Sequence, residues 1–316
     1  MHRIPFLSGG DVARLISPRD AADAISDALR AGLDPASDPR RSVLDVRSGQ
    51  LLLMPSESAA CVGVKAVTVA PGNPRLGLPR VHGAYLLFSA ATLELVAILD
   101  GAAISSIRTP AVSIAGSRPA FARFDRPVRV TVFGAGPQAA GHVDALVNGG
   151  FARVEDVVHV VRHPERAGDA VEVGAAVMAA GDPAVAARVS VSDVLVCTTT
   201  SATPLFDSQL VGDRAVVLVV GAHEPHNREV DGRLLARSTV VVEDPATALR
   251  EAGDVVLAVA EGLLDPASLV PMADVVRGAV EIDHARPYVL KTVGMSWEDL
   301  AVAEVVLARL TSRAGA

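Results

Sequence analysis

Residues 128–148 combine a strand, a glycine turn and a helix in an order suited to binding phosphate. An alternating run of valines over 128–132 leads directly into Gly134-Ala135-Gly136, and a helical pattern follows. Gly134 permits the tight turn and Gly136 lets the backbone approach a pyrophosphate, while the helix N-terminus offers free N–H groups to the anion. Ala139 stands where the motif usually has its third glycine. An ordinary strand-to-helix turn is the alternative, but the context favours dinucleotide binding.

Lysine is rare in this chain, and its two copies are therefore candidates for chemistry. Of the 29 lysine and arginine residues, only Lys65 and Lys291 are lysines. An ammonium group can give up a proton near neutral pH, whereas a guanidinium cannot. Chance retention is the alternative, and Lys65 lies in an alternating strand over 62–67, where a lysine usually faces solvent.

The residues after the second strand of the dinucleotide-binding region predict which nicotinamide cofactor is preferred. NAD-specific proteins place Asp or Glu at the end of that strand to bind the ribose hydroxyls. Here the strand ends at Val161 without an acid, and Asp156 lies too early. Arg162, His163 and Arg166 follow, and such cations suit a 2′-phosphate. The sequence predicts a preference for NADP(H), with NAD(H) possible if these cations are merely solvated.

Composition argues against several classes of protein. A chain of 316 residues suits two domains rather than one core. A net charge of −7 without a basic tract argues against a nucleic-acid partner. The longest uncharged apolar run, Ala215 to Ala222, is too short for a membrane span, and the N-terminus has no signal-peptide pattern. Cys61 and Cys197 are far apart, so neither a disulfide nor a metal site is expected, and a reducing cytoplasm is the expected location.

The first group of elements is expected to form a mostly antiparallel sheet with flanking helices. A helix is predicted from the Ser17-Pro18 cap to about Ala31. The strands that follow are SVLDV, QLLLM, CVGVKAVTVA, VHGAYLLF and ELVAILD. Asp100 is then predicted to cap a helix over 101–121 that is interrupted near Pro110.

The second group alternates strands with helices, which is typical of a parallel sheet with right-handed crossovers. Strands are predicted at 128–133, 157–161, 193–198, 215–220, 239–243 and 286–293. Helices are predicted at 137–148, 165–179 and 246–260. A last helix, 297–310 after the Ser296 cap, is expected to cross back and pack on the first group.

Several segments together resemble the ornithine cyclodeaminase/mu-crystallin family, and the resemblance covers nearly the whole chain. They are Arg41 before LLLMPS (51–56), GVKAVTVAPGN (63–73), LLFSAATLELVAILDGAAISSIRTPAVS (86–113), VFGAGPQA (132–139), TTTSATPLF (198–206), VVGAHEPHNREVD (219–231) and LKTVGMSWEDLA (290–301). The resemblance implies an α/β fold with a Rossmann dinucleotide-binding domain inserted in a mixed α+β substrate and dimerisation domain. We expect domains at 1–120 and 121–290, a returning segment at 291–316, and a homodimer.

The resemblance also assigns a substrate carboxylate to Arg41, Lys65 and Arg108. A planar guanidinium offers two parallel N–H donors to a carboxylate, and Arg40 is the alternative to its neighbour Arg41. Lys65 matches the family's active-site lysine, so we expect it to bind the carboxylate and to exchange a proton with the substrate nitrogen. Lys291 is expected to have a structural or cofactor-contact role.

His223 departs from the family pattern. Ornithine cyclodeaminases have an aspartate at this position that handles the cyclising amine, so histidine argues against that reaction and against a diamino acid substrate. His223 can exchange a proton near neutral pH and is, with Lys65, a predicted catalytic residue. The alternatives are a loop histidine without a role, or replacement of the missing acid by Glu224.

The predicted function is NADP(H)-dependent reduction of a ketimine or cyclic imino acid, an imine beside a carboxylate, to an amino acid. An amino-acid dehydrogenase or opine-like synthase is one alternative, and a non-catalytic NADPH-binding protein of crystallin type is another. The matched segments and the phosphate-binding pattern place the cofactor contacts at Arg108, Gly134, Gly136, Pro137, Gln138, Arg162, His163, Arg166, Thr199, Val220 and Thr292.

Overall fold

The run of alternating strands before residue 100 forms the sheet of one unit, and the strand–helix alternation after residue 127 forms the sheet of another. The computed structural model describes residues 4–167, 171 and 175–314. The first unit contains the chain up to Thr109 and from Gly294 onward, and the second is Pro110–Val293.

The first unit has a six-stranded mixed sheet. Its strands are β1 (Phe6–Leu7), β2 (Ser42–Val46), β3 (Gly49–Glu57), β4 (Cys61–Val69), β5 (Val81–Ser89) and β6 (Leu95–Asp100). Their order is β1-β6-β5-β4-β3-β2, antiparallel except for the β1–β6 pair. Its helices are α1 (Gly9–Leu15), α2 (Pro18–Arg30), the start of α3 (Gly101–Phe121) and α10 (Ser296–Ala314). Helix α10 packs on β3, β4 and α2.

The second unit has an eight-stranded parallel sheet. Its strands are β7 (Val128–Phe133), β8 (Val154–Val161), β9 (Ala176–Ala179), β10 (Val194–Cys197), β11 (Val216–Val219), β12 (Thr239–Val242), β13 (Val270–Pro271) and β14 (Tyr288–Lys291). The order is β13-β12-β14-β11-β10-β7-β8-β9. Its helices, after the rest of α3, are α4 (Pro137–Asn148), α5 (Ala184–Val191), α6 (Gly232–Ala236), α7 (Pro245–Glu251), α8 (Gly253–Ala260) and α9 (Met272–Arg277). The α/β class with a Rossmann-type parallel sheet is therefore confirmed.

The helix predicted over 165–179 is wrong where the structure describes it. A short 3-10 turn covers Pro164–Arg166, and Ala176–Ala179 is strand β9, paired in parallel with β8. Residues 168–170 and 172–174 of that prediction lie outside the described residues. The alanine-rich sequence suggested a helix, but pairing with the sheet edge outweighs a weak local propensity.

Two other helices differ from prediction. Helix α3 runs through Pro110 without interruption, and its residues 108–117 are all buried. Proline removes one hydrogen bond from a helix, and here burial on every side outweighs that loss. The helix predicted over 246–260 is two helices separated at Ala252, whose backbone is extended.

Among the described residues, no helix has both the length and the apolar character needed to cross a membrane.

Candidate active site

The second unit has a pocket at the carboxyl ends of its central strands. Its volume is about 420 Å³, and residues that follow β7, β8 and β10 line it. The chain runs outward from β7 through β8 to β9 and then returns to β10 on the other side of β7. Ligands of open parallel sheets bind at such a reversal of strand order.

The glycine turn after β7 forms one wall of this pocket. Gly134 has a φ of +124°, and a Cβ there would lie 2.7 Å from Thr198 Oγ1. Gly136 is exposed at the N-cap of α4, and no atom lies within 4 Å of the position its Cβ would occupy. Pro137 and Gln138 begin α4. The turn therefore leaves open space beside exposed backbone, as a diphosphate requires.

The predicted basic group lies at the same pocket. Arg162, His163 and Arg166 line it and are exposed, while Val161 is buried at the end of β8. Glu165 lies between them, with Oε1 3.3 Å from His163 Nδ1 and 3.9 Å from Arg166 Nε. No carboxylate belongs to the described lining of the pocket.

Two loops at the carboxyl ends of β10 and β11 are joined by Glu229, which the sequence analysis missed. Its carboxylate accepts hydrogen bonds from Thr199 N at 2.5 Å, Thr199 Oγ1 at 2.8 Å, Gly221 N at 2.6 Å and Ala222 N at 3.3 Å. A Cβ on Gly221 would clash with the Thr199 carbonyl. Val220 N donates to Cys197 O at 2.9 Å. The two loops are thus held in direct contact.

Lys291 lies beneath these loops in a fully buried ion pair. Its Nζ donates to Ala222 O and lies 3.2 Å from Asp254 Oδ2. Asp254 Oδ1 in turn accepts from Glu229 N at 2.7 Å. Burial raises the pKa of Glu229, and the Lys291 charge opposes that rise. The neighbouring Thr292 is buried, and its N donates to Val219 O at 3.0 Å.

His223 follows the loop that Glu229 holds. It is exposed, and its Nδ1 lies 3.2 Å from Gly221 O. Glu224 is also exposed; it accepts from Asn227 Nδ2 at 2.8 Å and lies 3.3 Å from His226 Nε2. Both of these partners of Glu224 belong to its own loop.

In the first unit, Lys65 faces the buried side of the sheet. Its side chain is only 2% exposed, unlike an outward-facing strand lysine. Nζ lies 2.7 Å from Asp299 Oδ2 and donates to Asp299 Oδ1 at 3.0 Å and to Ser105 Oγ at 3.1 Å. Burial, with a smaller effect of the Arg108 charge, lowers the pKa of Lys65 to about 8, and Asp299 opposes this change.

Arg41 and Arg108 contact the segment at the start of helix α10, where Asp299 pairs with Lys65. Arg108 is buried, donates from Nη1 to Glu298 Oε2, and has Nε 3.3 Å from Asp299 Oδ1. Arg41 Nη2 donates to Gly294 O at 2.8 Å. Gly294 has a φ of +78°, and a Cβ there would collide with the Arg108 guanidinium. Both guanidinium groups therefore converge on one glycine.

Arg40, the alternative to Arg41, is exposed. Glu298 and Asp299 were missed because acidic residues in the first turn of a helix usually serve its dipole. Their signal was the apolar setting, since Trp297 and Leu300 flank them on both sides. In the structure both carboxylates are completely buried.

Comparisons with known proteins identify the family of this chain. The ornithine cyclodeaminase/mu-crystallin family profile matches residues 5–314. The chain is 32% identical over 322 residues to delta(1)-pyrroline-2-carboxylate reductase 2 of Burkholderia ambifaria, covering 100% of this chain and 99% of that protein. It is 29% identical to ketimine reductase mu-crystallin of Rattus norvegicus, with 97% of each chain covered.

Among solved structures, an archaeal alanine dehydrogenase dimer with bound NAD superposes with a TM-score of 0.85 at 26% identity, covering 98% of this chain and 97% of the other. Its likeness extends over both the mixed sheet and the parallel sheet. On these matches, the chain belongs to the ornithine cyclodeaminase/mu-crystallin family.

Proposed function

We propose that this protein is an NADP(H)-dependent reductase of ketimines or cyclic imino acids. The observation that carries the proposal is that Arg41 and Arg108 converge on Gly294 while Asp299 joins Lys65 to Arg108. The pyrroline-2-carboxylate and ketimine reductase relatives support the same reaction class.

The cations of this cluster suit a single carboxylate. Glu298 and Asp299 pair with Arg108 and Lys65, and Arg41 donates to the Gly294 carbonyl. A guanidinium offers two parallel N–H donors to a carboxylate. An imino acid that carries a carboxylate is therefore favoured over an uncharged imine.

The chain's own residues would orient the substrate and handle its proton. A bound reduced nicotinamide supplies the hydride that goes to the C=N carbon. The three cations hold the carboxylate, and this fixes the carbon in place. The nitrogen gains one proton, for which Lys65, His223 and water are the candidate donors. Lys65 suits this task because its pKa of about 8 lies near neutral pH.

The reaction is tested by NADPH oxidation with Δ1-pyrroline-2-carboxylate and its six-membered homologue. Arg108→Leu should raise KM by at least about tenfold, because it removes a charge-assisted contact of roughly 1.5–3 kcal/mol. His223→Asp should leave imine reduction largely intact if Lys65 or water is the donor. Absence of turnover with any cyclic imine would rule the proposal out and leave amino-acid dehydrogenation or a non-catalytic binder.

The proposed preference for NADPH rests on Arg162, His163 and Arg166 at the pocket and on Val161 at the strand end. A contact of Arg162 with the 2′-phosphate would favour NADPH by about tenfold or more. Arg162→Ala should reduce that ratio, whereas Arg153→Ala, which removes an exposed arginine outside the pocket, should not. Equal kcat/KM for NADH and NADPH in the wild type would contradict the preference.

Amino-acid dehydrogenation is the second candidate, favoured by the likeness to the alanine dehydrogenase structure. It differs by using ammonia with a 2-oxo acid in place of a preformed imine. Turnover with pyruvate and ammonium that exceeds turnover with cyclic imines would select it.

We further propose that the protein lacks ornithine cyclodeaminase activity. Cyclisation requires an anion to hold and deprotonate the distal amine, but His223 is not an anion and Glu224 is exposed on its loop. Incubation with ornithine and catalytic NAD⁺ should give no proline and no ammonia. Robust proline formation would show that Glu224 reaches the substrate, and Glu224→Gln would then abolish it.

A homodimer formed through the first unit is also proposed. The sheet face opposite α10 carries half-buried apolar side chains, among them Leu53, Val64, Leu86 and Ile98. The dimeric form of the alanine dehydrogenase neighbour supports this. Light scattering should give twice the 32.6 kDa chain mass, and Leu86→Glu should shift the protein toward monomer. A wild-type monomer at micromolar concentration would contradict the proposal.

A further inference from the structure

The two carboxylates at the start of α10 have no role in the reaction proposed above, yet they touch two of its three cations. Asp299 contacts both Lys65 and Arg108, with distances of 2.7 Å to Nζ and 3.3 Å to Nε. Glu298 accepts from the other side of the Arg108 guanidinium. The Asp299 carboxylate thus links the two cations directly.

The backbone that carries Asp299 is fixed from several directions. Glu298 Oε1 accepts from Met295 N at 2.8 Å, and Asp38 Oδ2 accepts from Trp297 N at 3.0 Å. Helix α10 also packs on β4, which carries Lys65. The helix start that carries the Asp299 carboxylate is therefore held in a fixed position beside the Lys65 amine.

The charged groups around Lys65 determine whether its amine is protonated. The groups that face Lys65 are Asp299 and Glu298 of α10, Arg108 and Ser105 of α3, and the buried Tyr85 opposite it on β5. Burial and the Arg108 charge favour the neutral amine, whereas Asp299 and Glu298 favour the ammonium. Without the nearest of these anions, the neutral amine would prevail at lower pH.

We propose that Asp299 is a positioning residue. It keeps Lys65 protonated and in place to pair with the substrate carboxylate, and it links Lys65 to Arg108. This inference rests on the proposed reductase function. A neutral Lys65 would donate only a weak hydrogen bond to the carboxylate, so Asp299 acts on substrate affinity through Lys65 without touching the substrate.

The test is the pH dependence of kcat/KM for Δ1-pyrroline-2-carboxylate in the wild type, Asp299→Asn and Asp299→Glu. The alkaline limb, where Lys65 loses its proton, should move by at least about one pH unit to lower pH in Asp299→Asn. At pH 7.5 a shift of one unit from a pKa of about 8 lowers the ammonium fraction about threefold, so the KM of Asp299→Asn should rise by at least about threefold, with a smaller change in kcat. Asp299→Glu, which keeps the charge, should restore the limb.

Asp20→Asn is the matched control. Asp20 binds Arg309, another residue of α10, at 2.7 Å, so the substitution also removes a carboxylate that pairs with this helix. It should leave the alkaline limb in place. A limb that stays fixed in Asp299→Asn, or that moves equally in Asp20→Asn, overturns the inference.

Lys65→Arg covers the case in which Asp299→Asn does not fold. Arginine cannot lose its charge in this pH range, so the alkaline limb should disappear, and its persistence would overturn the inference. Binding of L-proline, measured by titration calorimetry across the same pH range, separates the two proposals. A wild type that neither turns over cyclic imines nor binds L-proline refutes the reductase function; an active wild type with an unmoved limb in Asp299→Asn refutes only the role of Asp299.

Discussion

Replacement of Lys291 by methionine tests whether the buried ion pair of the second unit supports its stability. Lys291 Nζ lies 3.2 Å from Asp254 Oδ2, with both side chains fully buried. At an effective dielectric constant of about 20, two unit charges at this distance attract by about 5 kcal/mol. Methionine keeps the apolar stem but leaves Asp254 and Glu229 without their neighbouring cation. We expect the free energy of unfolding to fall by about 3–5 kcal/mol at pH 7.5.

Urea unfolding followed by circular dichroism measures this loss. At pH 5.5 the deficit should shrink, because burial already raises the pKa of Glu229 and the loss of the Lys291 charge would raise it further. Lys291→Met/Asp254→Asn should recover part of the loss, since asparagine removes the charge and keeps an oxygen acceptor. Arg129→Met is the matched control: Arg129 Nε lies 3.3 Å from Glu155 Oε2 in an exposed pair, which should cost less than about 1 kcal/mol.

A loss in Lys291→Met no larger than that in Arg129→Met would refute this reasoning. A deficit of the same size at both pH values would also refute it, because it would point to lost packing and not to unpaired charge.

Three further outcomes are expected. Gly294→Ala should lower the free energy of unfolding by roughly 1–3 kcal/mol and raise the KM for imino acid, because its φ is +78° and the added methyl group meets Arg108; an unchanged KM would contradict this. Burial lowers the pKa of His142 to about 4. The stability that its neutral ring provides is therefore complete above about pH 6.5. As the pH falls toward 4, the free energy of unfolding should drop by about 3 kcal/mol. His142→Gln should flatten that part of the curve measured by urea unfolding, and a parallel curve would count against it. Burial raises the pKa of Asp38 to about 6, so its contribution is present below about pH 4 and lost as the pH rises to 6. Between pH 4.5 and 7.5 the free energy of unfolding of Asp38→Asn should therefore rise by roughly 1–2 kcal/mol relative to that of the wild type. An unchanged difference between the two proteins would refute this.

Elements with several independent local signals were predicted well. The strand β7, the turn at Gly134 and the helix α4 each had a distinct pattern, and α4 runs over Pro137–Asn148 as predicted. Strand β9 was missed because its sequence is rich in alanine and its conformation depends on pairing with β8. Such pairing is a long-range interaction that local propensity does not record.

In the candidate site, too, the sequence revealed the residues that had a local signal and missed those that depend on distant partners. The rarity of lysine marked Lys65, and its burial in an ion pair agrees with a special role. Its partner Asp299 was missed because it lies 234 positions away in the sequence and looks like an ordinary acid of a helix start. Glu229 was missed for a related reason, since it acts on the backbone of two loops and has no motif of its own.

The scarcity of lysine, and the burial of both copies, make the chain a substrate with two hidden cleavage sites. Lys65 is 2% exposed in the first unit and Lys291 is 1% exposed in the second. A lysine-specific endoprotease can cut only where the chain has opened. Cleavage after Lys65 then reports opening of the first unit, and cleavage after Lys291 reports opening of the second. Because the products 1–65, 66–291 and 292–316 differ widely in length, one digestion series in increasing urea resolves the separate stabilities of the two units on a gel.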